Sequence, residues 1–320
     1  MKFLKKIRKK LYRICFYRTS KFAKIGYFFL KKKIKLSKND IALISIHNAG
    51  ETYLTCAMID SFKMRHGIHG SVILLGTKLY HKQIYEMFSH KIDRYYQLDP
   101  YIAECLQYLR TIKNGEIFYT ADLNKWTASF LKSPLNHLTH FKLLKICNFM
   151  DVEVELSSPL IKLEYEINAQ KKFDQLGLIR NKTIIISPES TSLKSLDNVF
   201  WKNLCFKLSN YDYKIFLNIM DKKNSIAGIA SGFLNFSEAF VFTNLAGKVI
   251  AARSGFCDVL SSSNAEFHVI YPTQIDREIY PLNEFVFEEK LAEYSANEQS
   301  QERLIEIIVK KVTQSEKEKI

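Results

Sequence analysis

From Ile41 onward, short continuous apolar runs alternate with longer stretches in which apolar residues recur every three to four positions. The short runs predict strands buried on both faces, and the longer stretches predict amphipathic helices. Ile41–Ile46, Ser71–Leu75 and Arg94–Leu98 read as strands. Thr52–His66, Lys82–Ser89 and Tyr101–Lys113 read as helices, the first stopped by Gly67. Asp151–Ala169, with Pro159 inside it, breaks the rhythm and is expected to cross between domains, with a helix over Tyr165–Leu176 beyond it. Alternation then restarts with strands at Thr183–Ser187, Lys214–Asn218, Val249–Ala252 and, as the expected last strand, His268–Tyr271. Helices are expected at Val199–Ser209, Ser237–Ala246, Phe256–Ser262 and Gln301–Thr313. This repeated strand–helix order predicts an α/β fold of two Rossmann-like domains, 39–160 and 161–320, facing one cleft.

Before Ile41 the pattern differs. Residues 1–38 hold 15 of the 47 Lys and Arg and no acid, which leaves 32 basic against 33 acidic residues in 39–320. The net charge of +14 therefore belongs to one short segment, and a global basic face for nucleic acid is excluded. Leu4, Ile7, Leu11 and Ile14 form one helical stripe, with Lys5, Lys6, Lys9, Lys10 and Arg13 around it. The stripe predicts a basic amphipathic helix that lays residues 1–36 on an anionic membrane surface. A solvated tail, or one that binds RNA nonspecifically, is the alternative. The longest apolar run is Tyr27–Leu30, too short for a signal peptide or a span. The expected location is cytoplasmic, peripheral on the inner face of the cytoplasmic membrane. Six cysteines, no two closer than 41 positions, lack metal or redox spacing and fit free thiols in a reducing compartment. On that reading the Asn-x-Ser/Thr matches at Asn181 and Asn235 carry no weight.

Three strand-to-helix loops have unusual composition. His47-Asn48-Ala49-Gly50-Glu51-Thr52 offers a small turn followed by a carboxylate. Glu51 is either a first-turn helix acid or a general base. Ser187-Pro188-Glu189-Ser190-Thr191-Ser192-Leu193-Lys194 packs three hydroxyls and an ammonium, which suit a diphosphate. The alternative is a serine-rich capping loop. Arg253-Ser254-Gly255-Phe256-Cys257-Asp258 joins a cation to a tight turn and a helix start, with Asp258 either capping or binding. There is no GxGxxG, P-loop, HExxH, GxSxG or Asp-x-Asp. His137 and His140 could touch one metal, but no third ligand is near in sequence, and no metal site is expected.

Three stretches carry a family resemblance. Ile41–Gly67 has the opening strand, Gly-acid turn and helix, here Gly50-Glu51. Ile184–Leu208 has a strand, a Pro-containing loop, Lys194 and a helix begun by Phe200-Trp201. Val249–Leu260 has a late Ser-Gly loop and helix, here Arg253-Ser254-Gly255. The chain resembles the GT-B glycosyltransferases of the heptosyltransferase type, family 9 and relatives, which build bacterial lipopolysaccharide or other surface glycans. The resemblance implies an inverting, metal-independent transferase that uses a nucleotide-diphosphate sugar as donor and needs no further cofactor. It implies a lipid-linked or oligosaccharide acceptor, Glu51 as base, and His47, Asn48 and Gly50 at the substrate. Ser190, Thr191, Ser192, Lys194, Arg253, Ser254, Gly255 and Asp258 would hold the donor. The sequence departs from the family at Glu51 for Asp, Glu189 for Gly and Arg253 for Asp, and lacks the His after Ser-Gly. These departures leave open a non-heptose sugar or an inactive membrane-tethered glycan-binding or assembly protein; a GT-B-like nucleotide-sugar epimerase is the further alternative.

Overall fold

The computed structural model describes residues 28, 30–46, 48–100, 102–103, 117–119, 138–147, 154–191, 193–194 and 196–314. The basic stripe of residues 1–27, most of the helix expected over Tyr101–Lys113, and His47, His137 and Ser192 lie outside the described residues. The chain forms two compact units. One comprises Met1–Asn48, Thr55–Ala128 and Leu144–Leu160; the other comprises Ala49–Leu54, Ser129–Leu143 and Ile161–Ile320.

The first unit holds a parallel sheet of β1 (Ile41–Ser45), β2 (Val72–Gly76), β3 (Arg94–Gln97) and β4 (Ile117–Tyr119), in the order β3-β2-β1-β4. The expected helix over Thr52–His66 is instead two, α1 (Ala49–Ala57) and α2 (Ile59–His66). At the break the Ala57 carbonyl accepts from the Ser157 N–H at 2.8 Å. Gly67 closes α2 in the left-handed region, φ 60°. Helix α3 (Leu79–Met87) follows β2, and α4 (His140–Cys147) follows later in the chain.

Residues 30–36, which the sequence reading assigns to the membrane-surface segment, contribute side chains to the core of the first unit. Leu30, Ile34 and Leu36 are buried against Ala42, Ile44, Ile73 and Leu75. Arg94 donates to the Ile34 carbonyl at 3.0 Å and pairs with Asp40, which also accepts the Ser37 and Ser71 N–H groups. Each buried aliphatic side chain contributes roughly 1.5–3 kcal/mol, so this stretch belongs to the fold. Its lysines lie on the outward side of the same turns, which is why a count of charge missed the inward stripe.

The second unit holds six parallel strands: β5 (Thr183–Ser187), β6 (Lys214–Asn218), β7 (Ala230–Gly232), β8 (Gly247–Ala252), β9 (Glu266–Tyr271) and β10 (Leu291–Ser295). Their order is β10-β9-β8-β5-β6-β7. The strand at His268–Tyr271 is therefore not the last: β10 adds to its edge, with Tyr294 opposite Ile270. The helices are α5 (Leu163–Gln175), α6 (Asn198–Leu208), α7 (Phe236–Ala246), α8 (Gly255–Leu260), α9 (Gln274–Ile279) and α10 (Gln301–Gln314). Asp197 caps α6 through the Phe200 N–H at 2.8 Å, and Asn235 with Glu238 forms a reciprocal capping box on α7. Leu304, Ile305, Ile308, Val309 and Val312 of α10 pack with Phe200, Trp201, Leu204 and Leu208 of α6 over the sheet. Cys56, Cys205 and Cys257 are free and buried.

A polar network closes the amino ends of β8 and β9. Glu266 accepts from Lys248 at 2.6 Å and pairs with His268 Nε2 at 2.8 Å, while His268 Nδ1 meets the Tyr294 hydroxyl at 2.9 Å. Burial lowers the pKa of His268, which keeps the ring neutral with Nε2–H as the donor to Glu266. Burial opposes the charge on Glu266, but the bonds from His268 and Lys248 outweigh it and hold the carboxyl at about 2. The folded pKa lies below the unfolded value of 4.5, so this stabilisation is complete above pH 4.5 and is lost as pH falls toward 2. Glu266→Gln is expected to lower Tm at neutral pH, with the gap to the wild type closing as pH falls through that window. Thermal melts across pH measure it, and a gap independent of pH would refute the linkage.

Candidate active site

In an open parallel sheet, ligands gather at the carboxyl ends of the strands where strand order reverses. In the second unit the order reverses between β5 and β8. The loops after these two strands are Pro188–Asp197 and Arg253–Gly255, two of the three that stand out in the sequence. The third, His47–Thr52, follows β1, which flanks the reversal between β1 and β4 in the first unit's sheet.

The two loops of the second unit are tied together, with the Ser190 hydroxyl donating to the Arg253 carbonyl at 3.0 Å and accepting the Leu193 N–H at 3.2 Å. Thr191 and Lys194 are exposed. Glu189, which the sequence places beside a diphosphate, turns to the next loop instead. Its carboxylate accepts the Met220 N–H at 2.9 Å and the Asn224 amide at 2.8 Å. Glu189 thus braces the loop after β6.

Arg253 stands apart from the diphosphate role read in the sequence. The guanidinium is 5% exposed and bonded on every side. Nε donates to the Tyr280 carbonyl at 2.8 Å, NH1 to the Ser254 carbonyl at 2.7 Å and to Asp258 Oδ2 at 3.2 Å, and NH2 to Asp258 Oδ1 at 2.7 Å. Asp258 is 4% exposed, so the pair is an internal strut. Ser254, at the start of α8, is buried, and its hydroxyl has no partner among the described residues.

Glycine permits the next contact. A Cβ on Gly50 would lie 2.0 Å from Asp258 Oδ2, and one on Gly255 would lie 2.8 Å from the Gly50 nitrogen. The first turn of α1 can therefore approach α8 only because both positions lack a side chain. The Tyr53 hydroxyl adds a bond to Ser262 at 2.6 Å. These contacts explain why Ala49–Leu54 belong to the second unit.

Glu51, next to Gly50, is 7% exposed. Its Oε1 lies 3.6 Å from His140 Nε2, and the His140 ring packs on Tyr280 with centroids 5.1 Å apart. Burial, with Glu51 and Asp276 nearby, raises the pKa of Tyr280 and keeps its phenol protonated. Asn48 is partly buried. No group of three His, Cys, Asp or Glu among the described residues could hold a metal ion.

Neither a protein-family model nor a curated protein matches the chain. Solved structures do match. A glycosyl transferase family 9 structure from Veillonella parvula DSM 2008 superposes with a TM-score of 0.55 at 12% identity, over 85% of this chain and 91% of that one. The E. coli ADP-heptose LPS heptosyltransferase II superposes with a TM-score of 0.57 at 10% identity, over 86% of this chain and 99% of that one. The fold is that of the GT-B heptosyltransferases. At such low identity the likeness is one of backbone.

Within this GT-B fold, the second unit gathers Gly50, Glu51, Ser190, Arg253, Ser254, Gly255 and Asp258 near the carboxyl ends of its strands. His140 and Tyr280 join Glu51 there, although sequence reasoning considered His140 only as a metal ligand and passed over Tyr280. They stand 89 and 229 positions from Glu51, and no spacing rule links them. Arg253→Met is expected to destabilise the protein by about 3–5 kcal/mol, because it strands a buried carboxylate. The double replacement Arg253→Met with Asp258→Leu should recover most of that loss. Urea denaturation of both variants measures it; a single variant as stable as the wild type would contradict the strut.

Proposed function

We propose that the protein is an inverting glycosyltransferase that acts without a divalent metal. It moves a sugar from a nucleotide-diphosphate sugar to a hydroxyl of a lipid-linked or surface-glycan acceptor. The observation that carries this reading is the buried carboxylate of Glu51, held among the loops of a strand-order reversal in a heptosyltransferase-like fold.

Glu51 accepts the proton of the acceptor hydroxyl as its oxygen attacks the anomeric carbon from the face opposite the diphosphate. The new C–O bond forms while the bond to the diphosphate oxygen breaks, and the electron pair leaves with the phosphate. Lys194, the exposed cation of the β5 loop, takes the neutralising role, with Thr191 and Ser192 as hydroxyl donors. The Arg253–Asp258 pair shapes the site from beneath. Metal independence is supported by the absence of Asp-x-Asp from the sequence. His47, Asn48 and Gly50 are the substrate-binding residues of this scheme.

The basic stripe of residues 1–27 would hold the enzyme at an anionic membrane, on the cytoplasmic face, where a lipid-linked acceptor is presented. Flotation of the whole chain with anionic vesicles, and not with neutral ones, is the expected result. Flotation unaffected by deleting residues 2–27 would remove that part of the reading.

ADP-heptose is the first donor to test, by analogy with the E. coli neighbour's name. Glu51→Gln should retain donor affinity and lower kcat by about 10² to 10⁴. Lys194→Ala should weaken ADP binding by roughly 10- to 100-fold in titration calorimetry, the equivalent of about 1.5–3 kcal/mol for a charged contact. A wild-type rate in Glu51→Gln would refute the base, and unchanged ADP affinity in Lys194→Ala would move the donor site elsewhere.

A further inference from the structure

We propose that a cavity between α6 and the connection from β6 to β7 (219–229) binds a small organic carboxylate with an apolar body. The site does not include Glu51 and is independent of the transfer reaction.

The cavity has a volume of about 260 Å³. A closed apolar cavity of about 150 Å³ holds benzene, so this one has room for a ring with a substituent. Neither Ser190, Thr191, Lys194 nor the Arg253–Gly255 loop lines it. Its apolar walls are Phe206 of α6, Leu217 of β6, and Ile226 and Ala227 of the connection. The Phe206 ring is 47% exposed, whereas Phe200 and Trp201, the other aromatic residues of α6, are buried. Two polar lining residues are already tied together: the Asn198 amide donates to Asn224 Oδ1 at 3.2 Å, and the Asn224 amide donates to Glu189 at 2.8 Å. A wall fixed in this way has little ordering left to lose when a ligand arrives.

Charge sets the class of ligand. Among the described residues two lysines and no acid line the cavity. Lys223 is paired with Asp221 at 2.9 Å. Lys202 has no acidic partner among the described residues, and its ammonium lies 5.7 Å from the centre of the Phe206 ring. One cation beside an exposed aromatic wall suits an anion that carries an apolar group. Trp201 adds a hydrogen-bond donor. It lines the cavity, is 2% exposed, and its Nε1–H has no acceptor among the described residues. A buried indole N–H ordinarily finds an acceptor. A carboxylate in the cavity supplies one as the indole edge turns toward it, and Lys202 balances the charge. The apolar body lies against Phe206, Leu217 and Ile226, where its burial drives binding.

The probe is benzoate, and the reporter is the Trp201 N–H. The chain has two tryptophans, so Trp126→Phe leaves a single indole signal in a proton–nitrogen correlation spectrum of the full chain. Benzoate is expected to move that signal downfield and to saturate. Benzyl alcohol has the ring without the charge, and acetate has the charge without the ring; neither should match benzoate at equal concentration. Lys202→Met, at an exposed position, should weaken benzoate binding roughly 3- to 5-fold, as for the loss of an exposed ion pair. Ala227→Phe, also at an exposed position, fills the cavity and should abolish the shift while Tm holds. The wild-type spectrum, with both indole signals, gives the same reading without any replacement of Trp126. A Trp201 signal that benzoate leaves unmoved, or that benzyl alcohol moves equally well, would overturn the proposal. So would a shift retained in Ala227→Phe, or an affinity untouched by Lys202→Met.

Discussion

A guanidinium can be buried only where its N–H groups find acceptors, because an unpaired charge in a low-dielectric interior costs several kcal/mol. Arg253 meets that condition with four bonds: two to the Asp258 carboxylate and one each to the Ser254 and Tyr280 carbonyls. Each acceptor comes from a different piece of backbone, so satisfying one side chain fixes the loop after β8, the body of α8 and the segment after α9 together. Asp258 then sets how near α1 can come, and Gly50 is the residue that fits the space left. The position of Glu51 follows from that of Gly50, its neighbour.

This arrangement divides the charged groups by task. Arg253 and Asp258 neutralise each other inside the unit, and Glu189 is bound to the loop after β6. Lys194 remains at the surface of the β5 loop. Departures from the heptosyltransferase pattern at 189 and 253 therefore have structural reasons in this chain.

The inner strands β1, β2, β5, β6, β8 and β9 were legible because parallel strands covered on two faces read as unbroken apolar runs, as in Ile41–Ser45 and Thr183–Ser187. Strands β4, β7 and β10 were not legible: each is an edge strand, and Ala230–Gly232 has only three residues and no apolar run. The break at Met58 was not legible, and the Ser157 N–H that meets the Ala57 carbonyl there lies a hundred positions away. The three loops around Gly50, Ser190 and Gly255 were legible from their small and hydroxylated residues. Side-chain pairings were not: nothing in composition separates an Arg that faces a ligand from one that faces Asp258. His140 and Tyr280 illustrate the same limit, since both reach Glu51 only through tertiary packing.

The grouping of Ala49–Leu54 with residues far down the chain also matters during synthesis. The first turn of α1 leaves the ribosome long before Gly255 and Asp258 exist. At about 5–20 residues per second, the roughly 200 intervening residues take on the order of 10–40 s to appear. For that interval the α1 turn that carries Gly50 and Glu51 lacks its partner surface, and the Glu51 carboxylate remains solvated. The buried Glu51 is thus enclosed late, and the packing of α1 on the second unit can be completed only once α8 has emerged.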